Sequence, residues 1–374
     1  MKKRVLSLLF IAVTAVSMLI GCSWGTNNTN ASGGYEIALI TDKGNIDDKS
    51  FNQGAWEGVE EYAKEHNITH QYYKPEEASD EGYLASIELA VEGGAKVVVT
   101  PGYLFETAVY AAQTMYPDVK FILLDGEPHT ADYATYKTES NVACVMYAEE
   151  EAGYLAGYAA VMDGMRTLGF EGGMAVPAVV AFGYGYLQGI EDAAVELGLD
   201  DDSITVFYHY TGDFAETDAN KATAKAMFES GAEVIFGCGG SVGKSVMSAA
   251  AEANAKSIGV DVNQKGDSTT VITSATKGLG SSVIDVLDAI YNDEFDTYGG
   301  KTTYFTAANN GVGLPDDFSR FETFSKDAYE AIYEALANGT VDPIRSFETE
   351  KPAEVTADEL EKELNLVKVQ VERR

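Results

Sequence analysis

Cysteine is scarce in this chain, with three in 374 residues. One of them, Cys22, closes an N-terminal apolar run, and the other two, Cys144 and Cys238, are far apart, so no disulfide framework is available. The four histidines, His66, His70, His129 and His209, have no metal-ligand spacing, and neither metal nor cofactor is expected. Basic residues are few: 26 Lys and Arg against 59 Asp and Glu, a net charge of −33. That balance makes nucleic acid and anionic membrane surfaces unsuitable partners and favours solubility outside the cell. Long hydrophobic runs are missing too. The longest, Val5–Ile20, falls short of the roughly 20 residues a membrane-spanning helix needs.

That run has another reading. Lys2, Lys3 and Arg4 precede it, and Leu19-Ile20-Gly21-Cys22 ends it in the manner of a bacterial lipobox. Residues 1–21 are therefore expected to be a lipoprotein signal peptide and Cys22 the lipidated residue, holding the protein on the outer face of the cell membrane without spanning it. Residues 22–34, rich in Ser, Asn and Gly, have tether composition. The remainder is long enough for two domains.

Short β-rich runs recur at 36–41, 70–73, 96–100, 120–124, 205–210, 233–236, 257–260 and 270–273. Helical-period runs separate them at 82–91, 106–115, 149–162, 187–197, 220–228 and 245–253. Such alternation predicts α/β architecture with parallel sheets. A weak repeat adds to this. Residues 92–99 (EGGAKVVV) resemble 229–236 (ESGAEVIF), and 121–125 (FILLD) resemble 257–261 (SIGVD), at nearly the same displacement. Residues 36–41 and 167–172 form a looser pair. Two lobes on one plan follow, with Asp125 and Asp261 at equivalent strand ends, where open α/β sheets bind ligands.

The stretch 41–54, TDKGNIDDKSFNQG, joins the first strand to the first helix. Ser50 and Gln53 have capping-box spacing. Phe51 then falls in the first helical turn, either as a hydrophobic staple or as an aromatic face for a flat ligand beside Asn52. Elsewhere, Gly239-Gly240-Ser241-Val242-Gly243 matches the nucleophile-elbow pattern, but every histidine precedes Ser241, which disfavours a hydrolase. A Walker A reading of Gly243-Lys244-Ser245 fails because its first glycine would be Cys238. A Gly-rich turn with open backbone N–H groups remains. Gly183, Gly185 and Gly189 miss the dinucleotide spacing and suit close helix packing, with Phe182 expected at a helix start. Lys277 follows a strand, where a solvated lysine is the simplest expectation.

Asp42…Asp48-Lys49-Ser50-Phe51-Asn52, residues 116–121 (YPDVKF), Phe182…Gly185-Tyr186…Gly189, Ile258-Gly259-Val260-Asp261 and Ser274…Lys277 occur together and in order. In this the chain resembles the basic membrane protein (Bmp) lipoproteins, substrate-binding proteins of ABC transporters that include the purine nucleoside receptors. The resemblance runs from about Tyr35 to Thr340. It implies a type I periplasmic-binding-protein fold: two Rossmann-like lobes with parallel sheets around a ligand cleft, joined by three crossovers. Residues 35–142 with 271–305 would make the N-terminal lobe, 143–270 with 306–345 the C-terminal lobe, and 346–374 an extension. Carried over, Phe51 and Phe182, or a tyrosine beside the latter, would stack on a base. Asp125 and Asn52 would read its edges, with Asp42 and Ser50 nearby. Asp261 and Lys277 would hold ribose hydroxyls, and Gly240 and Ser241 would line the pocket. The implied function is a non-enzymatic, monomeric receptor that captures a nucleoside, a purine foremost, for an ABC permease. A flavin or sugar receptor, a nucleoside-processing enzyme and a surface adhesin are the alternatives.

Overall fold

A computed structural model describes residues 34–349 and 351–372. The leader, Cys22 and nearly all of the tether lie outside the described residues.

Thirteen strands are assigned among them: β1 Ile37–Ile40, β2 His70–Tyr73, β3 Val97–Pro101, β4 Lys120–Leu124, β5 Val142–Tyr147, β6 Thr167–Gly172, β7 Ile204–Tyr210, β8 Val234–Cys238, β9 Lys256–Asp261, β10 Val271–Lys277, β11 Lys301–Phe305, β12 Val312–Gly313 and β13 Val367–Val371. One sheet has the order β11-β5-β4-β3-β1-β2, with every pairing parallel. The other has the order β12-β10-β9-β8-β6-β7-β13, parallel except where β12 meets β10. The nine longer helices are α1 Phe51–His66, α2 Asp80–Glu92, α3 Glu106–Met115, α4 Glu149–Met162, α5 Pro177–Glu196, α6 Asp218–Glu229, α7 Val242–Ala253, α8 Leu279–Tyr291 and α9 Lys326–Ala337.

Strands of the first sheet are apolar on both faces because helices cover both. Ile37, Leu39, Val97, Val99, Ile122 and Leu124 pack with Ala55 and Val59 of α1 and Val283 and Leu287 of α8. The alternate residues Ala38, Ile40, Val98, Phe121 and Leu123 pack with Tyr83 and Ile87 of α2 and Val109 of α3. In the second sheet, Phe207 and Ile235 face Met227 of α6 and Val246 of α7. The repeat is borne out: β1, β3 and β4 occupy the positions in their sheet that β6, β8 and β9 occupy in theirs.

Strand pairing puts the crossovers later than the sequence boundaries. β5 still belongs to the first sheet, so the chain crosses between Tyr147 and Glu149, not at 142. β10 still belongs to the second sheet, and the return begins after Lys277, not at 271. A third passage joins Phe305 to Val312. Residues 346–374 are not a mere extension, since β13 within them pairs in register with β7.

The run 182–189 also differs from expectation. It lies inside α5, which starts with Pro177 at its first turn, so Phe182 sits in the second turn and not at a helix start. The glycines pack as predicted. A Cβ on Gly185 would come within 2.0 Å of the Glu150 carbonyl oxygen, and one on Gly189 within 2.0 Å of that of Tyr154. Gly153 and Gly157 of α4 answer them from the other side, approaching the carbonyls of Phe182 and Tyr186. No helix among the described residues is long and apolar enough to cross a membrane.

Candidate functional site

The start of α1 is built differently from a Ser50–Gln53 capping box. The Asp48 carboxylate accepts from the backbone N–H of Ser50 at 2.8 Å, Asn52 at 3.0 Å and Gln53 at 3.1 Å. A carboxylate satisfies several open N–H groups and complements the helix dipole, so Asp48 is the better cap. Ser50 makes no side-chain cap. Its hydroxyl instead donates to Asp261 Oδ2 at 2.5 Å, a contact from the first half of the molecule to the second.

Asp125 directly follows β4 and Asp261 ends β9, with φ of 54° and 64°. The left-handed turn, which Asp tolerates better than most residues, brings both carboxyl groups to a cavity of about 500 Å³ between the two sheets. Asp42, Phe51, Asn52, Asp125, Phe182, Gly240, Ser241, Asp261 and Lys277 all line it. Of the candidate site residues described, Ser50 alone stands behind the wall. Tyr184 turns toward Phe347 and Tyr186 toward Phe236, so Phe182, not a neighbouring tyrosine, is the α5 aromatic at the cavity. Its ring is almost wholly buried, edge-on to Phe236 at 6.0 Å.

Lys277 is not solvated. It is 6% exposed and lies 2.5 Å from Asp125 and 2.9 Å from Glu149. Its ammonium also stands 4.8 Å from the Phe51 ring centre, 5.1 Å from Tyr147 and 5.4 Å from Phe182. Burial alone would lower its pKa, but the carboxylates of Asp125, Glu149 and Asp261 outweigh that and raise it, so it stays charged. Burial pushes Asp125 up to about 7, with Lys277 pulling the other way. Burial likewise raises Asp261, against the opposing effects of Lys277 and Ser50. Glu149 is buried as well, yet Lys277 and Arg345 together hold it below the usual range.

Asn52 is a brace. Its amide donates to Asp42 at 2.8 Å and to Asp48 at 2.9 Å, and its oxygen accepts from the Asp42 N–H. Asp42 also accepts from the Gly44 N–H at 2.7 Å, and burial lifts its carboxyl to about 6. In the Gly-rich turn, Gly239 and Gly240 have φ of 131° and 51°. The Ser241 N–H there is not open: it donates to the Phe214 carbonyl at 3.0 Å.

Sequence reasoning missed Phe214, Tyr103, Glu149 and Arg345, all at the cavity. Phe214 alone had a signal, an aromatic after a strand in the Gly-Asp-containing run 211–216. Further contacts tie the halves together beside the cavity. Gln264 Nε2 donates to the Lys49 carbonyl at 2.7 Å, and Lys244 Nζ to that of Asp47 at 3.2 Å. The whole arrangement suits a neutral, partly flat molecule with several hydroxyl or amide groups.

Residues 36–338 match the family model described as ABC transporter substrate-binding protein, PnrA-like. The chain is 30% identical over 367 residues to the "ABC transporter nucleoside-binding protein BmpA" of Lactococcus lactis subsp. cremoris, covering 91% of this chain and 99% of that one. It is 27% identical over 344 residues to an uncharacterized lipoprotein of Pyrococcus abyssi, covering 88% and 81%. A crystal structure of an ABC transporter system solute-binding protein from Aeropyrum pernix superimposes with a TM-score of 0.73, at 21% identity, over 87% of this chain and 99% of that one. The fold is thus of the type I solute-binding kind, and the chain belongs to the Bmp family of PnrA-like ABC transporter substrate-binding proteins.

Proposed function

We propose that this protein is a lipid-anchored extracytoplasmic receptor that captures a purine nucleoside between its two halves and delivers it to an ABC permease. One observation carries the reading: the Phe51 ring and the carboxyl groups of Asp125 and Asp261 meet at one cavity, beside a buried ammonium. An aromatic face suits a base, and acceptors suit its amide edge and a vicinal diol. The name of the Lactococcus relative supports the nucleoside, and that of the Pyrococcus relative supports the anchor at Cys22. Ligand contacts to both halves favour the approach of the halves, which buries the base and gives the permease one shape to recognise.

In this account Phe51 is a stacking residue and not a staple. Base–aromatic stacking is worth about 1–3 kcal/mol by alanine substitution. Phe51→Ala is therefore expected to weaken guanosine or inosine binding by one to two orders of magnitude, with Phe51→Tyr retaining most of it, as read by calorimetry. An alanine variant that binds as tightly as the wild type but melts much earlier would make Phe51 a staple.

A further inference from the structure

The C-terminal segment gives the cavity a side chain from beyond the family-matched stretch, which ends at residue 338. Arg345 lines the cavity and grips the first crossover. Its Nη1 donates to the Tyr147 carbonyl at 2.8 Å and to Glu150 at 2.7 Å, and its Nη2 lies 2.6 Å from Glu149 Oε2. The other Glu149 oxygen, Oε1, is 2.9 Å from Lys277, whose Nζ reaches Asp125 at 2.5 Å. Arg345, Glu149, Lys277 and Asp125 thus form one chain of alternating charge, running from the C-terminal segment to the first sheet.

Glu149 has no exposed surface. A buried carboxylate is tolerable only when paired, and Glu149 has a separate cation for each oxygen. Lys277, in contrast, is shared by two carboxylates. Removing the guanidinium would leave Glu149 and Asp125 competing for a single ammonium. Glu149, wholly buried, would draw Lys277 toward itself, away from Asp125 and out of its place over the Phe51 and Phe182 rings.

We propose that Arg345 is a positioning residue of the ligand site: by neutralising Glu149 it keeps Lys277 on Asp125, and so sets the affinity of the cavity. The identity of the ligand in this inference rests on the nucleoside reading above. A lysine would serve only in part, because the guanidinium fork holds Glu149, Glu150 and the Tyr147 carbonyl at once.

Three variants and two readouts test this. By calorimetry with guanosine, Arg345→Met is expected to raise Kd about tenfold or more, with Arg345→Lys intermediate. Combining Glu149→Gln with Arg345→Met should bring Kd back to within about threefold of wild type, since a neutral amide no longer draws Lys277. A purely structural arginine would lower the melting temperature and leave Kd unchanged, which would overturn the proposal. The second readout needs no ligand. In a crystal structure of Arg345→Met, Lys277 Nζ should lie more than about 4 Å from Asp125, the limit of an ion pair; an intact Lys277–Asp125 pair would overturn the proposal. If the wild type binds no nucleoside at all, the nucleoside reading fails, and the crystal structure still decides the role of Arg345.

Discussion

Asp42 shows how a single carboxyl group can make stability depend on pH. Burial lifts its pKa to about 6, above the roughly 3.9 of an unfolded chain. Between those values the folded protein holds a proton that the unfolded chain has released. Its contribution to stability is therefore whole below about pH 4 and is lost as pH rises through 6. Asp42 Oδ1 accepts both the Gly44 and Asn52 bonds, so Asp42→Asn can retain them. That variant is expected to be more stable than wild type at pH 7 by on the order of 3 kcal/mol, with most of the advantage gone at pH 4. Melts at the two pH values check the sign. At this scale the sequence was partly legible. Matched strand-end runs disclosed Asp125 and Asp261, and the Gly-Asp turn disclosed Phe51. Arg345 was not legible, because its role depends on a carboxylate nearly 200 positions away in the chain, and nothing local marks it.

At the scale of elements, α4 and α5 are the tightest contact. Their glycines leave no room for a methyl group against the opposite backbone, and backbone cannot move aside as a side-chain tip can. Gly189→Ala is expected to destabilise the fold by about 2–3 kcal/mol or more, seen as an earlier denaturant midpoint with the slope unchanged. A variant of wild-type stability would mean that the two helices can separate at no cost. Alternation and glycine spacing made most strands and this packing legible. Others were read in part or not at all. Residues 142–162 are apolar almost throughout, and periodicity alone does not part a buried strand from a buried helix; β5 was therefore absent from the sequence reading. α5 begins ten residues earlier than its periodic run because Pro177 supplies an N-terminal turn. β13 alternates correctly, but an edge strand shows its partner only in the folded sheet.

For the molecule as a whole, the two sheets share one plan, three passages join them, and the cavity takes side chains from both. The acidic balance, −33 overall, gathers carboxyl groups at the cavity with Lys277 held among them, which disfavours phosphorylated ligands. A nucleoside bound there would also stabilise the fold by about 2.7 kcal/mol at a hundredfold excess over Kd. In the proposed function Asp261 carries the sharpest discrimination. Ser50 holds one of its oxygens, and a buried carboxylate deprived of donors costs roughly 1–3 kcal/mol. The most direct test is therefore calorimetric titration of the ligand-stripped protein with guanosine, 2′-deoxyguanosine and ribose. The account predicts tight binding of guanosine, binding of the deoxynucleoside weaker by about tenfold or more, and no heat from ribose. Binding of ribose with none of guanosine would contradict it.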